Sequence, residues 1–364
     1  MREWTNQYNA FNSMKALVWR EHFEGIVKGK FLPPVTVDTD PTNQCNYRCM
    51  WCNAFDYMKG AKHTLSEAHL VKLADFYKEW GVRSTCVAGG GEPLMNPGTS
   101  ALLERLQQNG VEAGLITNGA LMTDEHIDII ARTCRWCGFS MDAGTPETYA
   151  KVKGIRDKKM FHKVVENITK LARKVEELGT KCDIAYKYLL HPVNAHEIFQ
   201  SAEIAKAIGV RDFHLRPVGW DNIAVTKDKD PISFYDILED INKQIVSAMS
   251  LENGRFRFFG IRHKFDPYMV RKINFSKCWA TPLLATFGAD GKCHLCFDMR
   301  GRKDLILCDH DPDPREILKA WGSEFHKNLI AKIDPRNCPR CTFGPYNEIT
   351  EQVFMEDGMC RNFP

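Results

Sequence analysis

From residue 35 to residue 217 the chain alternates short strand-like runs with helical stretches, and no other feature narrows its fold as far. The strand-like runs are 35–40 (Val-Thr-Val-Asp-Thr-Asp), 84–89, 112–118, 136–142, 183–189 and 212–217. Helical periodicity falls between them at 66–80, 98–109, 124–132, 161–177 and 195–208, the first with Leu70, Leu73, Phe76 and Tyr77 on one face. Each strand-helix-strand unit makes a parallel pair with a right-handed crossover. Six such units predict an α/β chain whose sheet curls into a partial (β/α)6 barrel.

Successive side chains of a strand point to opposite faces. Phe139 and Met141 alternate with Ser140 and Asp142; Ile184, Tyr186 and Tyr188 alternate with Asp183, Ala185 and Lys187; Phe213 and Leu215 alternate with Asp212, His214 and Arg216. The apolar face must meet the surrounding helices, so the polar set faces the lumen. A closed eight-stranded barrel fills its lumen with apolar packing. One lined by Asp38, Asn118, Ser140, Asp142, Lys187, His214 and Arg216 is instead suited to a polar ligand.

Directly behind the first strand come Cys45, Cys49 and Cys52, spaced C-x3-C-x2-C. Three thiolates leave one iron of a four-iron cubane without a protein ligand, and an open metal position is where chemistry occurs. Structural zinc is the alternative, but zinc favours C-x2-C pairs with a distant second pair. Of the 14 cysteines, Cys86, Cys134, Cys137 and Cys182 read as small buried apolar residues, and seven crowd after residue 277. Such usage in a long chain without a secretion signal points to metal ligation more than to disulfides.

The triplet resembles the signature of the radical S-adenosylmethionine (SAM) enzymes. In that family the open iron of a [4Fe-4S] cluster chelates the amino and carboxylate groups of SAM, and reductive cleavage releases a 5′-deoxyadenosyl radical. The resemblance implies Cys45, Cys49 and Cys52 as ligands and sets Trp51 against the adenine. Gly89-Gly-Gly-Glu-Pro93 is similar to the family's GGEP element, which implies that Gly90, Gly91 and Glu92 receive the SAM amino group; a carboxylate is a fitting acceptor for an ammonium. Asn118, Ser140 and Asp142 match positions that line the SAM pocket, and Asn194 in His191-Pro-Val-Asn194 matches a loop whose asparagine approaches SAM. The fold implied is the same partial barrel, of TIM-like type.

Residues 231–275 read as a bridging segment: a helix over 234–249, then Arg255-Phe-Arg-Phe-Phe259. A half-buried strand explains that basic aromatic run better than stacking on nucleic acid. After Cys278 follow a hairpin signal at Ala289-Asp-Gly-Lys292, Cys293-His-Leu-Cys296, Cys308, a helix over 314–321 continuing toward 330, Cys338-Pro-Arg-Cys341 and Cys360. This order resembles the twitch or SPASM extension of radical SAM enzymes, a small α+β domain with an auxiliary [4Fe-4S] cluster. The resemblance implies a closed site of Cys278, Cys296, Cys338 and Cys341. Cys293 competes with Cys296, but its alternation suits a buried strand position. The missing cysteine at short spacing after Cys341 favours the twitch type. The expected domains are an N-terminal helical extension (1–34), the barrel (35–230), the bridge (231–275) and the auxiliary-cluster domain (276–364).

Lys plus Arg at 49 against Asp plus Glu at 46 leaves a net charge of +3 over 364 residues, too balanced to predict a nucleic-acid groove or an anionic membrane as partner. No apolar run reaches the roughly 18 residues of a membrane span, and the N-terminus lacks a signal-peptide pattern, so the cytoplasm is expected. The expected activity is hydrogen-atom abstraction from a small polar substrate, oxidising or epimerising a sugar or aminocyclitol, with Lys187, His214 and Arg216 binding or deprotonating it. A flavodoxin or ferredoxin would donate the electron. Maturation of a ribosomally made peptide and non-catalytic electron transfer stand as the alternatives.

Overall fold

The computed structural model describes residue 3 and residues 12–52, 54, 61–218, 232–260, 267–270, 273–338 and 341–355. Six parallel strands follow one another in chain order: β1 Thr36–Thr39, β2 Ser84–Val87, β3 Glu112–Thr117, β4 Cys134–Ser140, β5 Asp183–Leu190 and β6 Asp212–Pro217. Helix α1 Arg20–Val27 precedes them. The crossovers are α2 Glu67–Trp80, α3 Thr99–Asn109, α4 Asp124–Thr133, α5 Pro146–Lys153 with α6 Lys159–Leu178, and α7 Ile198–Ala207. The sheet and its helices form the expected α/β partial barrel.

Three differences from the sequence reading have local causes. Helix α5 was not expected; Thr145 caps it by accepting the Thr148 N–H, and Pro146 occupies its first turn, the usual start signals. The basic aromatic run supplies β7 Arg257–Gly260, which pairs parallel with β6 after the crossover helix α8 Leu238–Met249, so the bridge is a further barrel unit. Phe258 stacks on Phe213 at 5.2 Å and Phe213 on Tyr186 at 5.3 Å, one aromatic rung across three strands. The helix expected from 314 toward 330 is split into α9 Glu316–Ala320 and α10 Glu324–Ala331. Gly322 turns the chain between them at φ 73°, where a side chain would be strained.

The C-terminal region is continuous with the barrel. β8 Leu284–Phe287 pairs parallel with β1 on the edge away from β2, and β9 Lys292–His294 and β10 Ile306–Asp309 add antiparallel strands beyond it. Phe287 meets Tyr77 of α2 edge-on at 5.1 Å. Helix α11 Gly344–Ile349 and the turn after it return to α1, where Phe354 stacks on Phe23 at 4.9 Å. Among the described residues no helix is long and apolar enough to cross a membrane. Cys360 lies outside the described residues.

Candidate active site

The cysteine loop leaves the C-terminal end of β1 and is clamped from two sides. Arg48 and Met50 donate their N–H groups to the carbonyls of Lys153 and Val152 at 3.1 and 3.0 Å, and Glu92 donates its own to Gln44 O at 2.8 Å. A Cβ on Gly91 would stand 2.1 Å from Gln44 O, and one on Gly154 2.2 Å from Arg48 O, so both clamps require glycine. Gly91 thus approaches the chain's own backbone, with Gly90 beside it.

Cys45 is exposed while Cys49 and Cys52 are half-buried, and each thiol stands in the electrostatic field of the others. Burial pushes Cys49 up to about 12 and raises Cys45, so ionising this donor set calls for positive charge at the same place. Among the described residues no three His, Cys, Asp or Glu side chains close on a single metal-ion position. A cubane gives each thiolate its own iron, and three converging thiols on one loop fit that arrangement.

Around the loop stand the residues matched to the SAM pocket. Trp51 is buried and stacks on His191 at 5.3 Å. Glu92 is buried and accepts from Thr117 Oγ1 at 2.5 Å, Asn118 N–H at 2.7 Å and Leu94 N–H at 3.2 Å; burial nevertheless raises its carboxyl. Asn118 donates its amide to Asn46 Oδ1 at 2.8 Å. Asn194 is fully buried, receiving the His191 N–H at 2.8 Å and donating to the carbonyls of Asp142 and Leu189 at 2.8 and 3.0 Å, so its amide secures the loop after β5. Asp142 adopts φ 59° and pairs with Lys153 at 2.6 Å. Ser140 lies opposite Lys187 in the β4–β5 register.

Register also assembles the lumen. Ser140, Lys187, His214 and Phe259 form one row across β4 to β7, and Ala185 faces Asp212 in the row below. Lys187 lies across Gly138, where a Cβ would meet its Cε at 2.2 Å, and its Nζ sits 5.2 Å from the Trp136 ring centroid. Burial lowers the Lys187 ammonium, against the opposing charge of Asp212. It lowers His214 too, although the Asp212 carboxylate lies 2.7 Å from its Nε2. Arg216 is half-buried beside Leu189 in the ladder and adds a further positive charge against both.

Sequence reasoning passed over several groups here. Cys86, read as an apolar filler, hydrogen-bonds to Asp38 from β2, and Arg300 reaches in from the C-terminal region to pair with Asp40. Burial raises the Asp38 carboxyl to about 7 against the pull of Arg300. Its folded value thus lies above the ordinary value near 3.9. The sign follows: its stabilising contribution is fully present below about pH 4 and is lost as pH rises through about 7. Asp38→Asn is expected to gain stability over the wild type between pH 4 and pH 8, read by thermal unfolding across that range. An unchanged pH slope in the variant would remove Asp38 as its source.

A second cysteine group, Cys278, Cys296, Cys338 and Cys341, belongs to the C-terminal region. Cys296 feels Cys278 and Cys341, and Cys341 feels Cys278 and Cys338, so the four converge, with Asp298 beside them. Cys293 is fully buried and faces Cys308 across the β9–β10 ladder, in hydrogen-bonding contact with it and apart from that group.

Comparison with known proteins gives this geometry a context. Residues 39–205 match the model of the Radical SAM superfamily. A "Probable GTP 3',8-cyclase" of Saccharolobus islandicus is 26% identical over 299 residues, covering 79% of this chain and 88% of that protein. An "S-adenosylmethionine-dependent nucleotide dehydratase" of a Thermoplasmatales archaeon is 30% identical over 100 residues, 28% of this chain and 35% of that one. Streptococcus suis SuiB bound to S-adenosylmethionine shares the fold, with TM-score 0.61 and 16% identity over 97% of this chain and 84% of that one. These relatives correct the expected substrate and reaction. Both sequence relatives are named for chemistry on nucleotides, which overturns oxidation or epimerisation of a sugar or aminocyclitol. The electron-carrier alternative falls with it, and a peptide substrate has only fold-level likeness behind it.

Proposed function

Residues 39–205 place the chain in the radical SAM superfamily, and on that premise we propose that it is a radical SAM enzyme whose substrate is a purine nucleotide, GTP before others. The observation that carries this reading is the match to a GTP 3',8-cyclase relative over 79% of the chain and 88% of that protein. Its cofactors are SAM and a [4Fe-4S] cluster, which when bound supply a 5′-deoxyadenosyl radical. We assign Cys45, Cys49 and Cys52 to that cluster, and Cys278, Cys296, Cys338 and Cys341 to an auxiliary one. Glu92 holds acceptor capacity beside the cysteine loop for an ammonium, and Trp51 with His191 offers a stacked aromatic wall.

The lumen chemistry supports a phosphorylated substrate. Arg216 supplies a forked, permanent positive charge suited to phosphate oxygens. Lys187, lowered by burial, exchanges a proton more readily than a surface lysine, and His214, oriented by Asp212, is a second proton carrier. A flavodoxin or ferredoxin in a reducing cytoplasm fits a chain whose 13 described cysteines form no disulfide with one another.

The test is anaerobic turnover of the iron-reconstituted protein with SAM and each nucleoside triphosphate in turn. GTP is expected to raise 5′-deoxyadenosine formation above the nucleotide-free rate and, when deuterated, to pass deuterium into it. Arg216→Ala is expected to raise KM for the nucleotide about tenfold or more, as loss of about 1.5–3 kcal/mol of charge-assisted bonding requires. If no nucleotide alters the rate, the substrate assignment is wrong.

A further inference from the structure

Under the cysteine loop lies a buried ion pair to which the proposed nucleotide reading gives no role. Lys153 Nζ stands 2.6 Å from Asp142 Oδ2, and the two side chains are 1% and 3% exposed. Bringing two charges this far out of water costs several kcal/mol per ion. Asp142 also holds φ 59°, a conformation uncommon for any residue but glycine. Three bonds fix it there: Lys153 on Oδ2, the Leu189 N–H on Oδ1 at 2.7 Å, and the Asn194 amide on its carbonyl at 2.8 Å.

The pair is tied to the loop as rigidly as to itself. Lys153 is the last residue of α5, and its carbonyl takes the Arg48 N–H while that of Val152 takes the Met50 N–H. These bonds bracket Cys49. The ammonium acts electrostatically on Cys49 and Cys45, and Asp142 acts on Cys49 with the opposite sign. One-electron reduction of an iron–sulfur cluster adds one negative charge, and its potential depends on net charge, hydrogen bonding and exposure around it. In a site shielded from solvent, a fixed cation favours the reduced form and a fixed anion opposes it.

We propose that the Lys153–Asp142 pair sets the reduction potential of the cluster held by Cys45, Cys49 and Cys52, Lys153 raising it and Asp142 lowering it. Both are positioning residues here, and the inference rests on the assignment of those three cysteines. The sign of each effect is separate from packing. A purely structural role would move both variants the same way.

The experiment is an anaerobic redox titration of the reconstituted full chain, followed by electron paramagnetic resonance. The signal of this cluster is the one absent from the Cys45, Cys49, Cys52→Ala variant and altered by SAM. Lys153→Met is expected to shift its midpoint to more negative potential, Asp142→Asn to more positive potential, and Lys153→Arg to leave it close to wild type. Should either single variant fail to fold, Lys153→Met with Asp142→Leu removes both charges together and is expected to fall back toward the wild-type midpoint. Shifts of the same sign, or none, overturn the proposal. A wild-type protein without any triplet-dependent signal overturns the ligand assignment instead and takes this inference with it.

Discussion

Replacing Cys45, Cys49 and Cys52 together by alanine is expected to abolish 5′-deoxyadenosine formation and to lower bound iron by roughly four atoms per chain, the content of one cubane. The loop should survive the change. Its position depends on backbone bonds to Lys153, Val152 and Glu92 and on close approaches at Gly91 and Gly154, none of which uses a thiol. Replacing Cys278, Cys296, Cys338 and Cys341 is expected to remove a comparable amount of iron while SAM cleavage continues, because those thiols act on one another and on Asp298 and not on the triplet. Iron content and 5′-deoxyadenosine, measured on both variants under the same anaerobic conditions, separate the two sites. Retained cleavage in the triplet variant would end the assignment.

The strands of the barrel were legible in the sequence to within a residue or two, because each is short, β-rich and alternating. β6 was read as it stands, Asp212–Pro217. What was missed depends on long-range pairing. The run Leu284-Ala-Thr-Phe287 is buried at every position, so no alternation announces that β8 inserts between β1 and β9. The run Arg255-Phe-Arg-Phe258 alternates as a strand does, yet nothing local says that β7 pairs with β6 rather than with its neighbours in sequence.

The site divides in the same way. A triplet of cysteines is a pattern, whereas Lys153 sits in a charged stretch, Ala150-Lys-Val-Lys-Gly-Ile-Arg156, in which nothing singles it out. Only the fold shows its side chain 1% exposed against Asp142. Asn194 illustrates the converse. Its loop was recognisable, but the amide is engaged by His191, Asp142 and Leu189, and a hydrogen-bond inventory cannot be taken from sequence.

Arg300 poses the strongest case, since 260 residues of chain separate it from its partner. Its Nε and Nη2 meet Asp40 Oδ2 and Oδ1 at 2.5 and 2.8 Å, a bidentate pair with side chains 11% and 1% exposed. Asp40 also donates its N–H to Phe287 O at 2.9 Å, so the pair joins the end of β1 to both the cysteine loop and the C-terminal strands. Arg300→Met leaves the Asp40 carboxylate buried without its cation and near Asp38, which feels that charge. Breaking one side of such a pair costs about 3–5 kcal/mol, and the expected result is a loss of that size in urea unfolding of the iron-loaded protein at pH 7. The double variant Arg300→Met with Asp40→Leu is expected to recover most of it, because an apolar pair leaves no unpaired charge. Asp38 should respond as well. Arg300 is the charge that holds its carboxyl down against burial, so in Arg300→Met the pH dependence assigned to Asp38 is expected to move to higher pH. A loss below about 1 kcal/mol, the ordinary worth of an exposed pair, would show that Arg300 does not brace the two halves of the sheet.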